Sequence, residues 1–376
     1  MLYQYPFTSC ILLLVIAVLL EVKFTFIKFA ASPPSTSYLH TSHNTTVICG
    51  RTIHLPIENV VLSIDELLST TKQNGTVIIG YDDMHHVQTN NHINAFLHAF
   101  DFALDHNMQL GVIEHSWAFT ALQNLFQIAS QDFEQFNIST INHDVVTVLN
   151  SSYVMKSGDE MYYYHSHAPL DEIKMRRIKI LRYLWTHPSL NGCSIVRELS
   201  LPAQYVVIHN RWMNHHGCLN RLGNLAFLIE NRTGIKIDRR APCLLEPSYI
   251  KSVLRIHDFL DTSIPIFVIG DGINPDIIHN LQIDLDIGNR VRTIPQQVST
   301  VSGDMMVAAL SSLFIGVPIS TLSGNIARAR LALGFDEGTN ILFPKKRRNS
   351  SSDEWEFICQ TMECLLDTTF MHNYVG

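Results

Sequence analysis

The run Leu313-Phe314-Ile315-Gly316-Val317 stands between two segments of helical spacing, and this arrangement constrains the fold more than any other stretch. A short, continuously apolar strand is one covered on both faces, as in a parallel sheet flanked by helices. The helix ahead of it carries Asp304 near its start and Met305, Val307, Ala308 and Leu310 at roughly the 3.6-residue period. Behind the strand, Ile319-Ser320-Thr321-Leu322-Ser323-Gly324 leads into an Arg-bearing helix that reaches Arg330. Hydroxyls, backbone N–H groups and the positive end of a helix dipole converge at that turn, which is anion-binding chemistry with phosphate as the first candidate. The plainer alternative is an ordinary helix cap at the end of a strand.

The same alternation recurs on both sides of the chain's middle. In the second half, strands are expected over Gln204–His209, Pro265–Gly270 and Arg290–Ile294, with helices over Ser248–Asp261 and Pro275–Leu281. In the first half, Thr76–Gly80 reads as a strand and Asn91–His106 as a helix, with Ile93, Phe96, Leu97, Phe100, Ala103 and Leu104 on one face. Leu110–Ile113 is the next strand. Strand, helix, strand order with short loops implies parallel pairing and an α/β layer. A length of 376 residues accommodates about two domains. The expected architecture is α/β, with two Rossmann-like domains facing a cleft, over residues 60–200 and 201–376. Phe133 to Tyr164 is weakly patterned and receives no element. A helix over Leu170–His187 carries a basic face, read as solvated, and stops at Pro188.

Ahead of these, Cys10 to Leu20 has no polar residue beyond its cysteine, and the apolar character resumes at Val22. Residues 1–31 read as an uncleaved signal anchor, with a long cleaved signal peptide as the alternative. Residues 32–59 read as a stem, because Ala31 to Thr46 is rich in Ser, Thr and Pro and lacks periodicity, and folded structure is expected from near Val60. N-x-Ser/Thr acceptors at Asn44, Asn74, Asn137, Asn150, Asn231 and Asn349 suit a lumenal body. Of the seven cysteines, Cys359 and Cys364 are the expected local disulfide. A net charge of -7 argues against nucleic acid as a partner.

Two further strand ends bear on the site. His209-Asn210-Arg211 delivers an arginine to the carboxyl edge of a sheet, where its planar fork suits a diphosphate. Ile269-Gly270-Asp271 ends the next strand. Asp83, Glu114, His115 and His215 lie near strand ends and are candidates for a general base. Asp284-Leu285-Asp286 imitates the carboxylate pair of metal-dependent glycosyltransferases, but it precedes a strand instead of following one.

Taken together, His209-x-Arg211, Ile269-Gly270-Asp271, and Asp304 followed by Ser311–Gly316 and Ser320-Thr321-Leu322-Ser323 resemble the motifs of GDP-fucose-dependent fucosyltransferases. The group comprises the protein O-fucosyltransferases and their α1,6- and α1,2-linking relatives, and the resemblance covers roughly Gln204 to Gly334. It implies an inverting, metal-independent glycosyltransferase of GT-B type with no cofactor beyond its donor, GDP-fucose. The acceptor would be a protein or glycan hydroxyl, and the setting a Golgi or endoplasmic-reticulum membrane. By position, Arg211 would hold the donor diphosphate, Asp304 the guanine pocket, and Ser320, Thr321 and the Leu322 backbone the phosphates. His209 would brace the loop, Asp271 would join the donor site, and Asn91 would approach the reacting centre. Two other readings stand beside this one. A non-catalytic lumenal lectin or scaffold is suggested by the glycine-less loop Val87–Asn91 and by Trp212-Met213-Asn214 after Arg211. The other is a transferase of the same architecture using another nucleotide sugar.

Overall fold

Thr45, Thr46, Val47 and Ile48 pair antiparallel with His54, Ile53, Thr52 and Arg51, forming the hairpin β1 (Asn44–Ile48) and β2 (Arg51–Leu55). β-branched residues suit such a ladder. The two turn residues, Cys49 and Gly50, both have positive φ (53° and 79°), the geometry whose twist matches that of paired strands. Regular structure is therefore present from Asn44, inside the span read as stem and ahead of the expected start at Val60. A computed structural model of the chain describes residues 44–55, 75–80, 96–97, 99–104, 106, 108–123, 138–142, 152–154, 180–182, 193–211, 245–270, 275–295, 300–317, 320–346 and 355–358. The expected anchor at residues 1–31, Asn91, Asp271 and the Cys359–Cys364 pair lie outside the described residues, as does most of the 170–187 helix.

The first sheet contains β3 (Thr76–Ile79), β4 (Gln109–Ile113), β5 (Ile138–Ile141) and β6 (Ser152–Val154), all parallel, in the order β5-β4-β3-β6. β5 and β6 occupy the stretch in which the sequence showed no pattern. Ile-Ser-Thr-Ile and Ser-Tyr-Val are too short for a period and, unlike β3, form no continuous apolar run. Helical residues 96–97 and 99–104 link β3 to β4, with Phe96, Leu97, Phe100 and Ala103 buried as their spacing requires. The short helix α1 (Trp117–Ala121) follows β4 and is capped by the Ser116 hydroxyl, which accepts from the Phe119 N–H.

The helix α2 (Ser194–Glu198) leads into the second sheet. Its strands are β7 (Val206–Asn210), β8 (Ile266–Gly270), β9 (Val291–Thr293), β10 (Leu313–Ile315) and β11 (Asn340–Ile341), all parallel, in the order β11-β10-β7-β8-β9. Counted along the chain, both sheets share the order 3-2-1-4, and the second extends it with a fifth strand. This is α/β architecture with parallel sheets, compatible with a Rossmann-like fold. Every residue of β7 is buried, as a strand covered on both faces must be.

Between these strands run α3 (Pro247–Ile256), α4 (Pro275–Gln282), α5 (Val301–Ala309) and α6 (Thr321–Ala332). α3 ends earlier than its sequence pattern suggested, because Asp258 adopts the left-handed conformation (φ 58°) that terminates helices. An antiparallel hairpin, β12 (Phe343–Lys346) with β13 (Trp355–Ile358), follows β11.

Segments from ahead of residue 201 are tied to this second sheet. A disulfide joins Cys49 in the hairpin turn to Cys193 at the start of α2. The Arg51 guanidinium lies 4.8 Å from the Tyr205 ring centre and donates to the carbonyls of Leu201 (3.1 Å), Pro202 and Leu310 (3.3 Å). Arg182 Nε donates to the Ala332 carbonyl at 2.8 Å, and a side chain at Gly303 on α5 would strike Ile195 on α2.

Candidate functional site

In the second sheet, β7 is the first strand, and its two neighbours are β8 and β10. The chain builds outward from it in one direction through β9 and then returns to build in the other. A reversal of this kind is where a ligand crevice forms in open α/β sheets, at the carboxyl ends of the strands on either side, here β7 and β10. Two of the motifs end there. His209 and Asn210 close β7 and Arg211 follows it, while β10 feeds through residues 316–320 into the first turn of α6.

A buried hydrogen-bond chain crosses this crevice. His209 Nδ1 lies 2.7 Å from the Ser323 hydroxyl, which also accepts the Val317 N–H at 2.9 Å. Three segments are joined by one oxygen: the end of β7, the turn after β10 and the first turn of α6. Gly316 permits this, since a Cβ at that position would lie 2.8 Å from Ser323 Oγ. Burial pushes the imidazole pKa down to about 3, and the nearby positive charge of Arg211 pushes in the same direction. His209 is thus held as a neutral ring near neutral pH, which suits a bracing or hydrogen-bonding role.

At the head of α6, Ser320 occupies the N-cap and is buried, but its side chain makes no cap hydrogen bond. Its backbone is engaged, donating to Val317 and accepting from Gly324, both at 3.0 Å. Thr300 and Ser116 behave differently, each accepting a helix N–H through its hydroxyl. Thr321 and Leu322 are half-buried in the first turn of α6. The amides of that turn, with the positive end of a twelve-residue helix behind them, form an anion-compatible rim.

Asp304 is buried in the first turn of α5, where its N–H donates to the Thr300 carbonyl at 2.8 Å. α5 packs against β7 and β8. Helices that link parallel strands run against them, so the first turns of α5 and α6 share the carboxyl edge of the sheet with His209 and Arg211. β8 reaches that edge at Gly270, where a side chain would overlap the Asn210 carbonyl, so the two strand ends approach closely. Asp271, next in the chain, and Asn91 lie outside the described residues, as do Asp83 and His215. Glu114 and His115 are exposed at the carboxyl end of β4, and His115 has φ 59°.

The imitation of a metal-binding carboxylate pair has another explanation. Lys251 on α3 bridges Asp284 at 3.0 Å and Asp286 at 2.9 Å, and Asp284 also accepts the Asp286 N–H. The two hydrogen-bonded carboxylates, Asp286 first, hold the lysine above its ordinary value. Burial pushes Asp284 upward, yet the Lys251 hydrogen bond and backbone N–H groups outweigh it and leave its pKa lowered. The pair fastens the loop after α4 to α3.

Sequence reasoning quoted Ser323 within the motif but gave it no role. Its task depends on β7 and β10 being neighbours, and no local spacing reports that. No family model matches the chain, and no curated protein matches it.

Proposed function

We propose that this chain is an inverting, metal-independent glycosyltransferase of GT-B type that moves fucose from GDP-fucose to a protein or glycan hydroxyl. The observation that carries the reading is the hydrogen bond between His209 and Ser323 across the reversal point of a parallel sheet. It fixes an arginine-bearing strand end and a hydroxyl-rich helix start on either side of one crevice. In this reading Arg211 grips the donor diphosphate, and the amides of Thr321 and Leu322 with the Ser320 and Thr321 hydroxyls bind its oxygens. Asp304 orders the guanine pocket, and Asp271 joins the donor site. Asn91 meets the reacting sugar from the first half of the chain.

As the bond to fucose breaks, negative charge grows on the departing GDP. Donors already aimed at the diphosphate act more strongly on that state than on the intact donor, and this difference accelerates transfer. The Cys49–Cys193 disulfide supports an oxidising compartment. It fits a single-pass membrane protein of the Golgi or endoplasmic reticulum with a lumenal body, anchored through residues 1–31.

The test uses the full chain in detergent with a chelator present. GDP-fucose, GDP-mannose and UDP-sugars are offered with a pool of glycan and protein acceptors, and nucleotide binding and release are measured. The expected result is binding of GDP and release of GDP from GDP-fucose. Preference for a UDP-sugar, or a strict need for a divalent metal, would overturn the proposal. GDP binding without turnover on any acceptor would favour a non-catalytic binding protein.

A further inference from the structure

Ser323 is fully buried, and its hydroxyl has two partners among the described residues, the Val317 N–H and His209 Nδ1. A backbone N–H can only donate, so the Val317 bond occupies a lone pair of the serine oxygen. The hydroxyl has one proton of its own to place. If His209 carried its proton on Nδ1, that N–H would also donate into the serine oxygen, and the serine proton would have no acceptor in a site closed to water. A buried donor left without an acceptor carries the full cost of its desolvation. If Nδ1 is bare, the serine proton goes to it and both bonds are made. Hydrogen-bond accounting therefore selects one of the two neutral forms of the ring.

We infer that Ser323 is a positioning residue that holds His209 in the tautomer protonated on Nε2, making the ring a neutral N–H donor for an anionic oxygen at the crevice between β7 and β10. The identity of that oxygen, a phosphate of GDP, rests on the function proposed above, whereas the tautomer does not. Nδ1 is the ring's one bonded nitrogen among the described residues, which leaves Nε2 for a ligand. A donor beside the Arg211 guanidinium complements an anion, whereas a bare Nε2 would present a lone pair to it. The depressed pKa of the ring agrees, since a neutral imidazole must choose a tautomer and a charged one need not. Gly316 completes the arrangement by leaving room for the serine oxygen.

The experiment is a long-range proton–nitrogen correlation spectrum of the full chain labelled with 15N-histidine, with the His209 signals assigned by their loss in His209→Asn. The expected spectrum has an unprotonated Nδ1 and a protonated Nε2, without ligand. In Ser323→Ala the preference collapses toward a mixture of the two forms, and Ser323→Thr, which keeps the hydroxyl, retains it. A protonated Nδ1 in the unaltered protein overturns the inference, and so does a Ser323→Ala spectrum identical to the original.

GDP titration supplies the second readout. His209→Asn, which loses the distal donor, is expected to weaken GDP binding by about tenfold, and His209→Gln, which restores an N–H near Nε2, to recover part of it. Equal GDP affinity in His209→Asn and the unaltered protein overturns the ring's role as donor. The inferred tautomer in a protein that does not bind GDP overturns the nucleotide assignment and leaves the role of Ser323 standing.

Discussion

Arg330 Nε donates to Asn340 Oδ1 over 2.8 Å, with both side chains removed from water. The rest of the guanidinium is spent on the Ala308 and Ala309 carbonyls, the Ser311 carbonyl and hydroxyl, and the Thr339 hydroxyl. It also stacks 4.6 Å from the centre of the Phe335 ring. One cation thus binds the end of α5, the body of α6 and the strand β11. The carbonyls it meets lie at and just beyond the carboxyl end of α5, where the helix dipole is negative. Burial lowers its pKa to about 9, which still leaves it charged at neutral pH.

Arg330→Lys keeps the charge and loses the fork, so several buried acceptors are stranded at once. The expected loss is about 3 kcal/mol or more of unfolding free energy, read from urea denaturation. A shift below about 0.5 kcal/mol would show that the network is replaceable.

The Cys49–Cys193 bond closes a loop of 144 residues in sequence separation. Constraining the unfolded chain over such a length contributes up to about 5 kcal/mol in the loop-entropy picture. The Cys49→Ala, Cys193→Ala double variant is expected to melt well below the parent, and non-reducing peptide mapping to recover Cys49 joined to Cys193. Cys49 joined to another cysteine would contradict the hairpin's placement.

Arg211→Lys is expected to weaken GDP binding by at least about tenfold, since a compact ammonium cannot donate two parallel hydrogen bonds to a diphosphate. Its melting transition should stay close to that of the parent. Unchanged turnover on GDP-fucose would remove Arg211 from the donor site.

His209 gives a pH signature of stability. Its folded pKa of about 3 lies below the ordinary value of 6.5, so the unfolded chain takes up the proton first as pH falls. The contribution is complete above the ordinary value and is lost as pH drops toward the folded one, at up to about 1.4 kcal/mol per pH unit. Urea midpoints measured from neutral to mildly acidic pH should therefore fall more steeply for the parent than for His209→Gln. Parallel slopes would mean that the ring is not held neutral.

Asp284→Asn with Asp286→Asn separates a structural pair from a metal site. The bridged lysine is partly exposed and Asp286 largely so, and ion pairs of that kind contribute about 1 kcal/mol or less. GDP binding is expected to be unchanged and the melting point slightly lower. Loss of nucleotide binding would bring the carboxylates into the functional site.

The elements most legible in the sequence were those whose pattern is local. β7, β8 and β10 are continuous apolar runs, and Phe96, Leu97, Phe100 and Ala103 mark one helical face. β5 and β6 were not legible, because Ile-Ser-Thr-Ile and Ser-Tyr-Val mix polar with apolar residues and form no continuous apolar run. The hairpin β1–β2 carried a signal that composition obscured. Thr45 to Ile48 is a continuous β-branched run ahead of a Cys-Gly turn, with Thr52 and Ile53 after it, but the Ser, Thr and Pro content upstream suggested a stem.

By itself the sequence determined an α/β chain with parallel strands and nominated His209, Arg211, Asp304 and the Ser320–Leu322 turn, because strand ends and helix starts are local events. Tertiary structure decided which strands are neighbours, and with that the role of Ser323, the neutrality of His209 and the inward turn of Arg330. It also gave Asp284 and Asp286 a lysine in place of a metal-like role. Each of these depends on residues distant in the chain meeting at hydrogen-bonding distance in a water-poor interior. There a polar group must find a partner, and that partner is named by topology, not by spacing.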